Sequence, residues 1–204
     1  MAELRGDVSE VATSFFYGMS RALKSAIVQR QAAVQASCLR EHDSDDYIRN
    51  TIYYDLVRKQ KDSLVTIDQP EAEVRKLCLA TGLLSHIANV DAVIAREEQE
   101  AMQRIIAEDW GLSEEQAELL ASISYDRTTR GLDYFRLSHG FFECTGIEER
   151  QRFLKTLFCI ANAANKTDNA EIEEIRRIAK SLKLSLKDFI DAKLTVPRAD
   201  RNGL

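Results

Sequence analysis

The sequence matches itself when it is shifted by 73 residues, and this internal repeat limits the folds that the chain can adopt. The segment Ile87–Asn89 then falls on Ile160–Asn162, and Glu98 falls on Glu171. Each copy reads as a helix, a short turn, a second helix that opens with the glutamate, and a Leu-Ser start to a third helix. A single helical hairpin cannot bury its own apolar stripe, whereas two packed copies can. The repeat therefore predicts two related helical hairpins around a shared core.

Local signals along the rest of the chain also favour helices. Only 8 Gly and 2 Pro interrupt the 204 residues, and apolar residues recur at helical spacing. Pro70 suits a first helical turn, and Gly111 suits a left-handed helix end. Four capping boxes start further helices: Ser113 with Gln116, Thr145 with Glu148, Asp168 with Glu171, and Ser185 with Asp188. We predict an all-α fold, a compact helical bundle that contains the two hairpins and is preceded by a long N-terminal helical region.

The chain is predicted to have three parts. Residues 1–65 form an N-terminal helical extension, whose first helix runs from Ser9 to about Leu39. Residues 66–196 form the duplicated helical domain, and residues 197–204 form a flexible tail after Pro197.

Composition and charge exclude several classes of function. The net charge of −5 and the even mixing of acidic and basic residues argue against nucleic-acid binding. The four cysteines form no Cys-x-x-Cys pair, which is typical of reduced, buried thiols. No signal peptide and no membrane span are recognised, so a cytoplasmic location is predicted. Motifs for nucleophilic catalysis, phosphate binding and zinc proteases are missing, so the chain is predicted not to be an enzyme.

The repeated turn resembles that of the TerB-like family, and the resemblance covers residues 71–194. It implies an acidic cluster that binds a divalent cation: Ca²⁺, Mg²⁺, Mn²⁺ or Zn²⁺. In the first turn Asp91 matches the family's aspartate and Glu98 its glutamate; in the second, Ala164 replaces the aspartate while Glu171 is kept. The predicted metal ligands are Asp91, Glu97, Glu98, Asp168 and Glu171, and no other cofactor is predicted.

A purely structural interpretation of the same carboxylates stays open. Asp168 and Glu171 form an ordinary capping box, which needs no ion. Glu97 and Glu98 lie at a helix start, where negative charge favours the helix dipole. The sequence alone does not choose between helix capping and a cation site.

The resemblance implies a non-enzymatic stress-response module, a scaffold or sensor that binds partner proteins and a divalent cation. The alternative is a purely structural interaction or oligomerisation domain without metal, whose contacts are the N-terminal helix and the segment Tyr134–Phe142. In the N-terminal helix, Phe15, Phe16 and Tyr17 precede Arg21 and Lys24. Such a basic amphipathic helix packs on its own domain, enters a partner's groove, or lies on the inner face of the membrane. The sequence leaves the oligomeric state open.

Overall fold

The computed structural model describes residues 46–90, 96–128, 131–163 and 169–196. Within these ranges the helix-forming sequence gives eight helices, whose bounds are given below. Residues 46–49 are also helical, and no strand occurs within these ranges. The predicted all-α fold is therefore confirmed. The helices are α1 (Thr51–Lys61), α2 (Glu71–Ala88), α3 (Arg96–Trp110), α4 (Glu114–Thr128), α5 (Tyr134–Cys144), α6 (Ile147–Ala161), α7 (Asn169–Ser181) and α8 (Leu186–Lys193).

Helix α2 is the central element of the unit that begins at Tyr47. It packs against α1, α3, α4, α5, α6 and α7. From Leu77 to Ala88 every side chain except His86 is buried, as expected of a helix with neighbours on all sides. At Gly82 the neighbours come closest, because an added Cβ would lie 2.8 Å from Ile52 Cδ1 and 2.9 Å from Leu137 Cδ1. Glycine at this position lets α1 and α5 approach the backbone of α2.

Two of the predicted capping boxes start helices as expected. The Ser113 N–H donates to Gln116 Oε1 at 2.9 Å, and the Gln116 N–H donates to Ser113 Oγ at 3.2 Å. The same reciprocal pair joins Ser185 and Asp188 at the start of α8. The predicted stop before Ser113 is also present, because α3 ends at Trp110 and Gly111 takes φ +65°.

The predicted capping box at Thr145 and Glu148 is wrong by one residue. The Thr145 hydroxyl donates to the Phe141 carbonyl at the end of α5, and Thr145 lies one residue before the position that caps the next helix. Helix α6 instead begins after Gly146, whose N–H donates to Glu149 Oε2 at 2.9 Å. The start of α6 therefore depends on how α5 ends, which the Thr-x-x-Glu pattern does not reveal.

The helix ends follow the 73-residue spacing of the sequence repeat. Ala88 and Ala161, which end α2 and α6, are 73 residues apart. This agreement concerns helix boundaries, and the duplication itself stays a prediction.

Helix α1 shares the core of the predicted duplicated domain, although the sequence assigns it to the N-terminal extension. Ile52 and Leu56 are 1% and 0% exposed and pack in the common core. The buried Asp55 forms ion pairs with Arg58 of its own helix and with Arg127 near the end of α4. The division at residue 65 stays a prediction, and this packing places a structural element before that boundary in the same core.

The predicted helix from Ser9 to about Leu39 and the predicted tail 197–204 lie outside the described residues. Within the described ranges, no helix combines the length and the apolar character needed to cross a membrane.

Candidate functional site

The predicted acidic cluster is only partly within the described residues. Asp91 and Asp168 lie outside them. Glu97 and Glu98 occupy the first turn of α3, where Glu97 is exposed and Glu98 is only 8% exposed. Glu171 is half-buried in the first turn of α7. The first turns of α3 and α7 thus carry carboxylates, as the sequence predicted, but with different burial.

Glu98 lies close to the phenol of Tyr125 on α4. Burial raises the pKa of Tyr125, and the negative charge of Glu98 raises it further. The Tyr125 hydroxyl donates to the Gln99 carbonyl at 3.5 Å. Glu98 is therefore a packed part of the α3–α4 contact rather than a freely solvated first-turn acid.

The described carboxylates do not make up a cation site by themselves. A Ca²⁺ or Mg²⁺ ion needs several oxygen ligands that converge at about 2.0–2.6 Å. Among the described residues, no group of three or more His, Cys, Asp or Glu side chains is arranged to hold a metal. A cation site among the predicted ligands Glu97, Glu98 and Glu171 thus needs a further carboxylate from outside the described residues, Asp91 or Asp168.

A pocket of about 390 Å³ opens between α2 and α6, and the ends of α3 and α5 complete its lining. We call it the α2–α6 pocket. Its volume is at the small end of the roughly 300–1,000 Å³ that ligand pockets span, which suits one or two side chains or a small molecule. Its lining consists of the apolar residues Leu77, Ala80, Trp110, Phe141 and Phe153 and the polar residues Gln69, Glu73, Lys76, Asp109, Thr145, Glu149, Arg152 and Thr156.

The apolar part of the pocket is fixed by core packing. Leu77, Ala80, Phe141 and Phe153 are at most 5% exposed. The rings of Phe141 and Phe153 lie 4.6 Å apart between centroids, at an interplanar angle of 47°. At the α3 end, the Gln69 side-chain amide donates to the Trp110 carbonyl at 3.3 Å. These contacts fix the floor of the pocket, and the half-buried Trp110 supplies most of the apolar surface that the pocket exposes.

An ion-pair network joins α2 to α6 at one side of the pocket. Lys76 Nζ lies 2.7 Å from Glu73 Oε2 and 3.1 Å from Glu149 Oε1. The hydrogen bond to Glu73 raises the pKa of Lys76. The pKa of Glu149 lies below its usual range, mainly because the Gly146 backbone N–H donates to its carboxylate and, to a smaller extent, because Lys76 also donates to it. These three charges are therefore mutually satisfied.

Two further charged residues at the pocket are exposed and are not used in this way. Within the described residues, neither Asp109 on α3 nor Arg152 on α6 forms an ion pair. The positive charge of Arg152 helps to lower the pKa of Glu149, and both Arg152 and Asp109 are exposed at the edge of the pocket.

The hydroxyl groups at the pocket donate to backbone carbonyls of the protein itself. The Thr156 hydroxyl donates to the Arg152 carbonyl at 3.3 Å, and the Thr145 hydroxyl donates to the Phe141 carbonyl. Burial raises the pKa of the neighbouring Cys144 thiol, which disfavours the reactive thiolate.

Sequence reasoning missed this pocket. Its polar residues look like ordinary solvated helix faces, and its apolar residues look like ordinary core. One signal was present: Trp110, the single tryptophan of the chain, stands at a helix end beside Asp109. That signal was interpreted only as a helix terminus.

Comparison with protein families identifies the fold described above. The family model for TerB, the tellurite resistance protein, matches residues 78–194, from within α2 to just after α8. This range confirms the resemblance found in the sequence and covers more than half of the chain. Neither the curated proteins nor the solved structures give a match. The chain therefore belongs to the TerB family.

Proposed function

We propose that this protein is a non-enzymatic binding module of a stress response, a scaffold or sensor that holds a partner protein through the α2–α6 pocket. The pocket is the observation that carries the proposal. The family's name connects it to tellurite resistance, which supports the stress-response part. A cytoplasmic location is part of the same proposal.

The chemistry of the pocket favours a partner side chain that is apolar at its tip and flanked by charge. The half-buried Trp110 ring offers an aromatic surface for an aliphatic or aromatic anchor. Arg152 and Asp109 then offer one complementary charge each to residues beside that anchor. Because about 390 Å³ is small, the pocket takes an anchor residue rather than a whole cofactor.

Site-specific photo-crosslinking tests this proposal in the living cell. A photoreactive phenylalanine analogue is placed at Arg152 or at Asp109, both exposed beside the pocket, and at Glu118 on the exposed side of α4 as a control. Cells are then irradiated with and without tellurite. We expect the Arg152 and Asp109 variants to capture the same protein and the Glu118 variant not to capture it. Products that are equal at all three positions, or no specific product, would contradict the proposal.

A divalent cation at the first acidic turn is the second part of the proposed function, and its support is the family resemblance. The expected observation is a rise in the melting temperature of the whole chain on addition of Ca²⁺, Mg²⁺, Mn²⁺ or Zn²⁺, since an ion that binds only the folded state stabilises it. Asp91→Ala with Glu98→Ala should abolish this rise, whereas Asp168→Ala with Glu171→Ala removes the same charge and should retain most of it.

Each variant is compared with its own metal-free melting temperature, because loss of the buried Glu98 alters stability by itself. An unchanged melting temperature of the natural sequence with all four ions would remove the cation from the proposal and leave partner binding intact.

For the alternative oligomerisation function, the segment Tyr134–Phe142 offers few aromatic side chains that are free to contact another molecule. Tyr134 stacks on His86 with centroids 4.6 Å apart, and Phe141 packs on Phe153. The Arg150 guanidinium lies 4.5 Å from the centroid of the Phe142 ring. Of the four aromatic residues, Phe135 alone is mainly exposed, at 64%. This segment is therefore occupied largely by the protein's own core.

A further inference from the structure

Helix α8 and Leu194, the residue that follows it, expose an apolar stripe about 130° around the helix axis from the buried residues of α8. Phe189 and Ala192 point into the core and are 4% and 1% exposed. Leu186, Ile190 and Leu194 are 69%, 45% and 55% exposed. Their spacing of four residues places them in one row, about 12 Å long at 1.5 Å per residue. This row, the α8 stripe, is a continuous apolar surface rather than scattered single residues.

Beside the α8 stripe, two exposed charged residues lie near the helix ends where the helix dipole disfavours a charge of their sign. Lys187 lies in the first turn, where the helix dipole disfavours a cation, and Asp191 lies near the C-terminal end, where it disfavours an anion. Lysine four residues before an acid is also the weaker order for an ion pair within a helix. Within the described residues neither of the two forms an ion pair.

Other charges of α8 do follow the usual preference. Asp188 is engaged in the capping box with Ser185, and Lys193 lies in the last turn. Among the charged residues of α8, the two that oppose the helix dipole are thus Lys187 and Asp191, the pair beside the stripe.

This arrangement is complementary to an antiparallel second copy of itself. With Ile190 opposite Ile190, each Leu186 faces the Leu194 of the other copy. Lys187 of one copy and Asp191 of the other then lie on the same side of the pair, about 3 Å apart along the axis at 1.5 Å per residue. The two Asp191 residues are equally close along the axis, but at 100° per residue each points about 100° away from the Ile190 contact, whereas Lys187 points about 60° away and reaches across to the partner's acid. The two helix dipoles also run in opposite directions, which is favourable.

We propose that the α8 stripe is a self-association surface, on which two copies of the chain pair through antiparallel α8 helices with reciprocal Lys187–Asp191 ion pairs. The proposal is independent of the α2–α6 pocket, which involves none of these residues. Eight residues cannot bury the roughly 1,200–2,000 Å² of a standard interface. The dimer is therefore weak and forms only at high protein concentration.

Sedimentation velocity of the whole chain over a wide concentration range, with two charge variants, tests this pairing. Lys187→Asp places two acids opposite each other, and Asp191→Lys places two lysines opposite each other. Each variant alone should dimerise at least fivefold more weakly than the natural sequence. An equimolar mixture of the two should recover the dimer, because each then supplies the charge that the other lacks.

Both substitutions agree with the dipole of α8, so loss of the dimer through unfolding is not expected, and circular dichroism checks this. Ile190→Gln should weaken self-association in every background. A chain that stays monomeric at several hundred micromolar would overturn the proposal. So would a dimer that is unaffected by these substitutions, or single variants that do not associate with each other.

Discussion

Replacing Asp55 by alanine is expected to lower the free energy of unfolding by about 3–5 kcal/mol. Asp55 is buried on α1, and its carboxylate pairs with the guanidinium of Arg127, whose side chain is 20% exposed. The substitution leaves that guanidinium partly buried without its counter-charge. Since a domain is typically stable by about 5–15 kcal/mol, the loss is a large part of the total. Urea unfolding followed by circular dichroism measures it.

A matched control uses the other partner of the same carboxylate. Arg58 Nη2 lies 2.6 Å from Asp55 Oδ1, but the Arg58 side chain is 73% exposed. Arg58→Ala should therefore cost less than about 1 kcal/mol. Asp55→Leu combined with Arg127→Met should recover most of the stability, because it removes both charges together. If Asp55→Ala cost no more than Arg58→Ala, the buried pair would not stabilise the α1–α4 contact.

Gly82→Val is expected to destabilise the fold by about 1–3 kcal/mol, although glycine is normally the poorer helix former. The Cβ atom alone would lie 2.8 Å from Ile52 Cδ1 and 2.9 Å from Leu137 Cδ1. The two methyl groups of valine enlarge this overlap where α1, α2 and α5 meet. The measurement is again urea unfolding, with Gly140→Ala as a milder control because its Cβ would lie 3.2 Å from Leu79 Cδ2.

A double-mutant cycle identifies the overlap as the cause. Ile52→Val removes the Cδ1 atom that lies nearest to the new side chain. It should cost about 0.5–1.5 kcal/mol in the natural sequence and distinctly less in the Gly82→Val background. Equal costs in the two backgrounds would show that the close contact with Ile52 is not what requires glycine.

The parts of the fold that depend on local chemistry could be predicted from the sequence. Gly111 after α3 and the Ser113 and Ser185 capping boxes act over a few residues, and the structure confirms each of them. Pro70 marks the start of α2 but lies one residue earlier than predicted, as the N-cap before Glu71. Thr145 shows the limit of such signals. Its hydroxyl has two possible uses, and the position at which α5 ends decides between them.

The candidate site could be predicted only in part, because its residues are brought together by packing. Lys76 and Glu149 form an ion pair across 73 residues of sequence, and Trp110 joins them from a third helix. No local pattern connects these positions. The acidic-turn residues were found through the family resemblance, and the structure describes Glu97, Glu98 and Glu171 but gives no metal-binding group among the described residues.

The α8 stripe escaped sequence reasoning for a different reason. Leu186, Phe189, Ile190 and Leu194 all fit a helical apolar pattern, and such a pattern does not reveal that the helix has a neighbour on one side only. Helix α8 packs mainly against α6, which covers Phe189 and leaves the stripe exposed.

The most direct test of partner binding at the pocket is a ¹⁹F NMR titration of the chain carrying 5-fluorotryptophan. Trp110 is its single tryptophan, so one resonance reports on the pocket while the partner captured by crosslinking stays unlabelled. We expect the partner to shift this resonance, and Arg152→Glu to weaken binding at least tenfold. Lys180→Glu, an equal charge reversal on exposed α7, should stay within twofold of the natural sequence. A resonance that the bound partner leaves unchanged, or equal affinities for the two variants, would contradict binding at the α2–α6 pocket.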